Sequence, residues 1–520
     1  MDAATSSTVV TTGLRPDWRV TPVRLIGGLM VLAFGLRLIG MGVRPLWLDE
    51  AYSAWFASRS WHELWTQVPT YEPHPPFYYS LLKVWHDVFG GGAFALRSFS
   101  LLFAVATVPL VIAASSELER QQPSGRPLLR AGIAAFLIAC SPMLVLMGAE
   151  ARPYPLLIFA YALALLGLLR LMREFAAHSP GGWPSWAMLA AGTELGLWAH
   201  GLGLLYALCL AGALAPAWLK SPMSRERLTR GFAAAAIIVL VYLPCLLMMM
   251  KRAGDWGTGW LSWEPMMALQ LLALYAIPVE VLTVGSAVAA LVMILLAKRA
   301  AQGGIEARGW STDRAILLLW WGPPLLAIVI SQLAMPVFLP RTLTPTLVPA
   351  YLALAGALAR VDSSRERFAL TAALAITIMP ASVQIALRPA VEPWDEVSAY
   401  LQRNVGHGDQ VWLYPNDSAL PLREAGSTIP ARGIPGDYPA TSFKGPIRAG
   451  SPAVVSLTPR QAQGVAQEVS VRDVPTIWLV TRQSGIFDPH GDMPAALARV
   501  RRPGTPQEWG QIEVRPYYRR

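Results

Sequence analysis

Long apolar runs recur along this chain of 520 residues, the first beginning at Val23 and the last ending at Ala386. Each run is about twenty residues long, the length that an α-helix needs to cross the hydrocarbon core of a bilayer. Because a backbone in lipid must satisfy its own hydrogen bonds, this pattern predicts an all-α polytopic membrane protein. About eleven spans are predicted, at residues 23–42, 97–115, 131–149, 154–172, 185–200, 203–219, 231–250, 279–297, 315–335, 343–359 and 368–387.

The composition supports this interpretation, since 54% of the residues are hydrophobic and only 15% are charged. In soluble proteins about a quarter of the residues are charged. The net charge is +10, but no basic helix with interleaved aromatic residues is present, so we expect no nucleic-acid partner. Most Lys and Arg residues lie in short loops between spans, where they indicate topology. The basic loops alternate along the chain, at Arg120, Arg126 and Arg130; Arg170 and Arg173; Lys220, Arg225, Arg227 and Arg230; Lys298, Arg299, Arg308 and Arg314; and Arg360, Arg365 and Arg367.

This charge bias predicts that the tail, residues 1–22, is cytoplasmic and that residues 391–520 lie outside the cytoplasm.

Residues 76–89 are also apolar, but they are few and include Lys83, His86 and Asp87. We therefore predict an amphipathic helix in the membrane interface there. The first outer loop then covers about residues 43–96. Short loops and a compact length favour a bacterial inner membrane over the endoplasmic reticulum.

The composition changes after residue 390, where apolar runs shorten and Gly, Pro, Asp and Arg become more frequent. The pattern predicts helices at residues 394–401 and 493–500, a turn and then a strand within residues 408–414, and a second strand at residues 475–480. We predict a small extracytoplasmic α/β domain at residues 391–520, following a membrane domain at residues 23–390. Its sequence has no catalytic motif, so we expect it to gate a substrate or bind an acceptor.

Two adjacent carboxylates, Asp49 and Glu50, follow the first span, where charge is costly and usually functional. A carboxylate can act as the general base that deprotonates a hydroxyl group. Neighbouring helical residues point about 100° apart, so one of the two would face a site and the other a structural partner. The alternative is a helix N-terminus whose acids interact with the helix dipole.

A second cluster in the same loop contains Glu72 and His74 within Glu72–Tyr79. The prolines prevent regular helix, and two residues spaced by one in an extended chain point to the same side. They are candidates to orient a phosphate, or to bind a divalent metal such as Mg²⁺, Mn²⁺ or Zn²⁺ together with Asp49. The alternative is a rigid, solvated turn.

Further ionisable residues fall on the same predicted outer side, in segments distant along the chain. Arg152 and Arg341 suit a phosphate, because a planar guanidinium binds oxyanions bidentately. Glu150 is a candidate to orient Arg152, and Tyr154 and His200 are candidate neighbours of the same phosphate. The alternatives are an interfacial ion pair, an aromatic belt residue, a snorkelling arginine and an ordinary interfacial histidine.

The runs Leu46–Ser53 and Glu72–Tyr79 resemble two motifs in the first outer loop of GT-C glycosyltransferases, especially glycosyltransferase family 39. That family includes protein O-mannosyltransferases and aminoarabinose transferases. The segments Glu150–Tyr154 and Pro340–Arg341 match more loosely, and the likeness covers about residues 23–390. Glu72 stands where Asp is common in the mannosyltransferase branch, and a Lys that some members carry near His74 is missing.

This resemblance implies a GT-C fold and inverting transfer of a hexose or pentose from a polyprenyl-phosphate donor, outside the cytoplasm. The acceptor would be a lipid, a glycan or a protein. Asp49 would be the general base, Glu72 and His74 would shape the donor or metal site, and Arg152 and Arg341 would hold the lipid phosphate. Metal dependence varies in the family, so the resemblance leaves open whether a divalent metal is used.

Three other functions are consistent with a polytopic protein. A lipid-linked polysaccharide ligase or polymerase would use similar donors, but its important residues usually lie in a large late loop. A secondary transporter would place its ionisable residues near the bilayer midplane, in paired halves of the chain. A non-catalytic scaffold with an outer domain would not require Asp49.

Overall fold

The computed structural model describes residues 22–70, 72–252, 263–269, 312–436, 457–470 and 474–520, and every statement below concerns these residues. The predicted tail before residue 22, the predicted span 279–297 and the basic residues Lys298, Arg299 and Arg308 lie outside them. The helices of the membrane domain are α1 (Pro22–Leu38), α2 (Leu48–Ala57), α3 (Trp61–Thr66), α4 (Pro76–Phe89), α5 (Ala93–Gln121), α6 (Pro127–Cys140), α7 (Pro142–Gly148), α8 (Tyr154–Ala176), α9 (Trp183–Ala199), α10 (Gly203–Lys220), α11 (Arg225–Arg252), α12 (Thr312–Leu333), α13 (Leu347–Ala359) and α14 (Ser364–Leu387). Short 3₁₀ turns lie at Val68–Thr70, Pro265–Leu269 and Pro340–Thr346.

Every predicted span within the described ranges coincides with helical structure. In the described part of the chain, seven helices are long and apolar enough to cross a membrane, or eight if α6 and α7 form one bent span. The helices α1 and α9, at 17 residues each, are slightly shorter than these. The prediction of an all-α polytopic protein is therefore confirmed, whereas the total number of spans stays a prediction.

The bend between α6 and α7 shows why one arginine lies inside the bundle. Pro142 has no N–H and ends α6, and the two helices meet at 55°. The guanidinium of Arg37 donates to the freed carbonyls of Ile138, at 3.1 Å, and Ala139, at 2.8 Å. Arg37 is only 1% exposed. Its charge is thus used to satisfy backbone carbonyls that the helix break leaves without partners.

The predicted interfacial helix is present with the predicted bounds, as α4. Its 14 residues cover about 21 Å, too short to cross a membrane. Tyr78, Tyr79 and Leu82 on one side are buried, whereas Val84 and Val88 on the other are exposed.

Two of the basic loops that the sequence assigns to one side meet at one end of the helices. Glu117, near the end of α5, is contacted by Arg120 at 2.5 Å, Arg173 at 2.8 Å and Arg170 at 3.6 Å. Arg97 lies near the other end of α5, about 30 Å away at the rise of an α-helix. This separation matches the thickness of a hydrocarbon core.

The C-terminal region contains α15 (Trp394–Asn404), α16 (Ala419–Glu424), α17 (Pro459–Ser470), α18 (Ser484–Phe487) and α19 (Asp492–Val500), a 3₁₀ turn at Asn416–Ser418, and a sheet. Its strands are β1 (Gln410–Tyr414), β2 (Ala431–Gly433), β3 (Thr476–Arg482), β4 (Arg502–Pro503), β5 (Gln507–Trp509) and β6 (Ile512–Tyr518). The strand order is β2-β1-β3-β6-β4, with β5 also paired to β6. β1 is parallel to β2 and β3, whereas β6 runs antiparallel to β3.

Helices cover both faces of this sheet. Val411 and Leu413 of β1 pack in one cluster with Trp394 of α15. Trp412 and Tyr414 point to the other face, where α17 and α19 pack. Alternate residues of a strand face opposite layers, so the continuous apolar run is that of a strand buried on both sides. The two helices and two strands predicted from the sequence are confirmed, and the strands β2, β4, β5 and β6 are additions.

Candidate active site

The predicted acids open helix α2 and point into different surroundings. Trp47 is the extended N-cap residue, and Asp49 and Glu50 lie in the first turn, where neither side chain caps the helix. The side chain of Asp49 is 21% exposed, whereas that of Glu50 is fully buried. This divergence follows from the helical rotation of about 100° between neighbours.

Glu50 forms a bidentate ion pair with Arg97 of α5. Its two oxygens accept from Arg97 Nε at 2.8 Å and Nη2 at 2.6 Å, and Oε1 also accepts from the N–H of Ala151 at 2.8 Å. Arg97 further donates to the carbonyls of Met41 and Arg44, both at 2.7 Å. Glu50, the second candidate for the catalytic carboxylate, thus lies in a closed ion pair that ties the start of α2 to α5, which is a structural position.

Asp49 faces two arginines instead. Its Oδ2 lies 3.2 Å from Arg341 Nη2 and 3.8 Å from Arg152 Nη2. Arg152 also donates to the Asp49 carbonyl at 3.0 Å. Burial alone would raise the pKa of Asp49, but the positive charges of Arg152 and Arg341 outweigh it and hold that pKa below its ordinary value. The carboxylate is therefore ionised at neutral pH.

The two arginines come from distant parts of the chain. Arg152 lies in the turn between α7 and α8, and Arg341 lies in the 3₁₀ turn before α13. The Arg341 guanidinium also lies 5.7 Å from the ring centroid of Trp47, at the start of α2. Three segments that the sequence assigns to one side of the membrane therefore converge on Asp49.

Glu72, His74 and His200 form a second group of polar side chains. Glu72 Oε1 accepts the N–H of His74 at 3.2 Å and lies 3.0 Å from His74 Nδ1. The rings of His74 and His200 are 4.1 Å apart, edge to face, and Tyr154 lies 5.8 Å from His200. His200 Nδ1 accepts the N–H of Leu202 at 3.0 Å. Neither imidazole Nε2 has a hydrogen-bond partner among the described residues.

Glu150 does not orient the Arg152 side chain as predicted. Its carboxylate binds Arg388 Nη2 at 2.9 Å. Burial raises the pKa of Glu150 to about 7, and Arg388 opposes that rise.

The three predicted metal ligands are not arranged to bind one ion. Asp49 is engaged by two guanidiniums and Glu72 by His74. In the described part of the chain no group of three His, Cys, Asp or Glu side chains is placed to hold a metal. These residues therefore do not fit a metal site.

The sequence interpretation missed a link from the C-terminal domain to α2. Glu392 Oε2 accepts the N–H of Leu48 at 3.1 Å, and Glu392 Oε1 lies 3.2 Å from Arg482 Nη1. Arg482 Nη2 lies 3.6 Å from Asp417 Oδ1. The available signals were an acid directly after the last span and an arginine ending a buried strand.

No family model and no curated protein matches this chain. Solved structures do. ArnT from Cupriavidus metallidurans bound to undecaprenyl phosphate is 12% identical, covering 95% of this chain and 98% of that one, with a TM-score of 0.58. The archaeal oligosaccharyltransferase AglB from Archaeoglobus fulgidus, in complex with an inhibitory peptide and a dolichol-phosphate, is 12% identical over 91% and 72%, with a TM-score of 0.51. The arabinofuranosyltransferase AftD from Mycobacteria is 16% identical over 95% and 40%, with a TM-score of 0.50. At these identities the likeness is one of fold, and this chain is a membrane protein with the GT-C fold that its two motifs predicted.

Proposed function

We propose that this protein transfers a sugar from a polyprenyl-phosphate donor to an acceptor hydroxyl on the extracytoplasmic side of a membrane. The observation that carries the proposal is the Asp49 carboxylate flanked by Arg341 at 3.2 Å and Arg152 at 3.8 Å. A base and a phosphate-binding pair thus lie side by side. The GT-C fold adds support, because neighbours with that fold are described with undecaprenyl phosphate or dolichol-phosphate bound.

The arginine pair suits the phosphate of the donor. Two guanidiniums share one carboxylate, so the trio of Arg152, Arg341 and Asp49 has one positive charge in excess. A lipid phosphodiester carries one negative charge, and planar guanidiniums match its oxygens. As the sugar leaves, negative charge builds on the phosphate, and these fixed cations stabilise the transition state more than the ground state.

Asp49 is the proposed general base. The acceptor oxygen attacks the anomeric carbon, the bond from that carbon to the phosphate oxygen breaks, and Asp49 takes the hydroxyl proton. Polyprenyl phosphate leaves, and the configuration inverts because a single displacement occurs. When the arginines turn toward the donor phosphate, Asp49 loses part of its positive surroundings, which raises its basicity for this step.

His74 and His200 are proposed to contact the donor. Their Nε2 atoms have no partner among the described residues, so each imidazole has a nitrogen left to hydrogen-bond a sugar hydroxyl or a phosphate oxygen. Glu72 holds His74 through both its backbone and its ring. Tyr154 borders the same group. Glu50 and Glu150 are proposed to support this site through Arg97 and Arg388 rather than to bind donor.

The cellular setting is part of the proposal. The basic ends of the helices would face the cytoplasm, and the site and the C-terminal domain would face the outside of a bacterial inner membrane. The donor sugar is a hexose or pentose, and the acceptor is a lipid, a glycan or a protein. A transporter is less consistent with this geometry, because Asp49, Arg152 and Arg341 gather at one end of the helices.

The test is sugar transfer by purified protein in lipid nanodiscs, with a panel of radiolabelled polyprenyl-phosphate sugars and an envelope acceptor fraction. We expect turnover of one donor, and a loss of about a thousandfold in kcat for Asp49→Asn, as for removal of a general base. Glu63→Gln is the control, since Glu63 caps a helix in the same predicted outer loop and glutamine preserves that cap. Undiminished transfer by Asp49→Asn would refute the assignment of the base.

A further inference from the structure

The first turn of α2 is held by a residue from the C-terminal domain. The first N–H groups of a helix have no partner within the helix. One of them, on Leu48, donates to Glu392 Oε2 at 3.1 Å across 344 positions of the chain. The indole of Trp394 donates to the same oxygen at 2.9 Å. Glu392 of the C-terminal domain therefore caps helix α2 at Leu48, the residue before Asp49.

Arg482 completes a buried network of charges behind this cap. It lies 3.2 Å from Glu392 Oε1 and 3.6 Å from Asp417 Oδ1. The three side chains are between 1% and 3% exposed. Taking charges out of water is costly, and a buried ion pair is weak evidence for stability alone. The network therefore calls for an explanation beyond folding.

The sheet topology explains how the network reaches α2. Arg482 ends β3, and Asp417 follows the end of β1, the parallel neighbour of β3. Parallel strands end at the same edge of a sheet, so these two charges meet there. The next segment, α16, packs against α2, and its residue Leu420 belongs to the core of the membrane domain. The edge of the sheet is thus docked on the helix that carries Asp49.

We propose that Glu392 and Arg482 are positioning residues, through which the C-terminal domain fixes the first turn of α2 and so holds Asp49 against Arg152 and Arg341. The domain then does more than gate substrate or bind acceptor, because the site is not correctly arranged without it. The catalytic consequence rests on the proposed function of Asp49, whereas the docking of the domain on α2 does not.

A matched control lies in the same domain. Arg515 and Glu513 form an ion pair at 2.9 Å within β6, with side chains about 30% exposed. Arg515→Gln removes one positive charge from the domain, as Arg482→Gln does, without touching α2. A surface pair of this kind contributes little to stability.

The experiment uses the full-length protein in nanodiscs and compares Glu392→Ala, which removes the acceptor of the Leu48 N–H, Arg482→Gln and Arg482→Lys with Arg515→Gln. Kinetics with the donor found above give kcat and KM separately, and hydrogen–deuterium exchange follows the peptide that contains α2. We expect Glu392→Ala and Arg482→Gln to lower kcat about tenfold to a hundredfold with donor KM within about twofold, as for a misplaced catalytic group. The α2 peptide exchanges faster in both, Arg482→Lys recovers part of kcat, and Arg515→Gln matches wild type.

Exchange and kinetics separate the two proposals. If the wild type transfers no sugar, the exchange result still decides the docking, because faster exchange confined to α2 supports it and unchanged exchange overturns it. If transfer occurs, unchanged kcat in Glu392→Ala and Arg482→Gln overturns the positioning role. The positioning role is also overturned if kcat falls only in proportion to the fraction of unfolded protein while the α2 peptide exchanges as in wild type. Should Arg482→Gln fail to fold, Arg482→Lys, which keeps the charge but loses the planar fork, carries the same comparison.

Discussion

Asp49 and Glu50 are neighbours in the chain, yet one faces two arginines across the site and the other is closed in a bidentate pair with Arg97. This division explains why two acids stand together at the start of α2. In the proposed function, the part-exposed carboxylate of Asp49 is the general base, while Glu50 fixes the helix that presents it. The two acids should therefore respond differently to the same substitution.

Glu50→Gln is expected to destabilise the protein by about 3–5 kcal/mol, because it leaves the Arg97 charge buried without its partner. Asp49→Asn should instead preserve stability and lose kcat. Thermal unfolding in nanodiscs, measured beside kcat for the folded fraction, separates the two effects. Glu513→Gln is the control for loss of a carboxylate from an exposed pair, with an expected cost of at most about 1 kcal/mol. A stable Glu50→Gln protein with no activity would contradict the structural role of Glu50.

Arg341→Gln is expected to raise the donor KM by tenfold or more and to lower kcat. The substitution removes a cation that would stabilise the donor phosphate in both the ground state and the transition state. Arg341→Lys should recover part of kcat, because it keeps the charge but not the bidentate fork. Inhibition by free polyprenyl phosphate should weaken in parallel. Arg432→Gln, which removes an arginine of similar exposure from an ion pair with Glu468, should behave as wild type. An unchanged inhibition constant in Arg341→Gln would argue against a phosphate contact.

The pH dependence of transfer should show the low pKa of Asp49. A base must be deprotonated, so kcat/KM falls only as the pH drops through that pKa, which the arginines keep below its ordinary value of 3.8. Replacing Arg341 by Gln removes one of these charges and raises the pKa, so the acid limb should move toward neutral pH. The measurement is a kcat/KM profile of both proteins. An acid limb that stays in place in Arg341→Gln would mean that another group controls it.

Much of the membrane domain was predictable because helix length and hydrophobicity are local properties of a sequence. The Lys and Arg bias of the loops also predicted which helix ends lie on the same side of the membrane. That was enough to expect Asp49, Arg152 and Arg341 on one side. Partner choice was not predictable in the same way. That Glu150 binds Arg388, and that Glu392 reaches Leu48, depends on the docking of segments far apart in the chain.

The strand β6 was missed for a related reason. Its sequence alternates at first but contains Pro516, which argues against an interior strand. The pairing of β6 with β3 and β4 is set by the sheet as a whole. Local preference therefore indicates the elements, and tertiary packing decides which of the weaker ones form.

Glu150 should make stability depend on pH. Its pKa is about 7 in the folded protein against an ordinary value of 4.5, so the folded state binds more protons than the unfolded state between these values. The stability that this group contributes is complete below pH 4.5 and is lost as the pH rises through about 7. Glu150→Gln cannot ionise, so its unfolding temperature should fall less than that of wild type between pH 5 and about pH 8. The apparent Tm of both proteins across this range is the measurement. Parallel curves would show that Arg388 keeps Glu150 ionised throughout, and the group would then be a permanent ion pair rather than a titrating one.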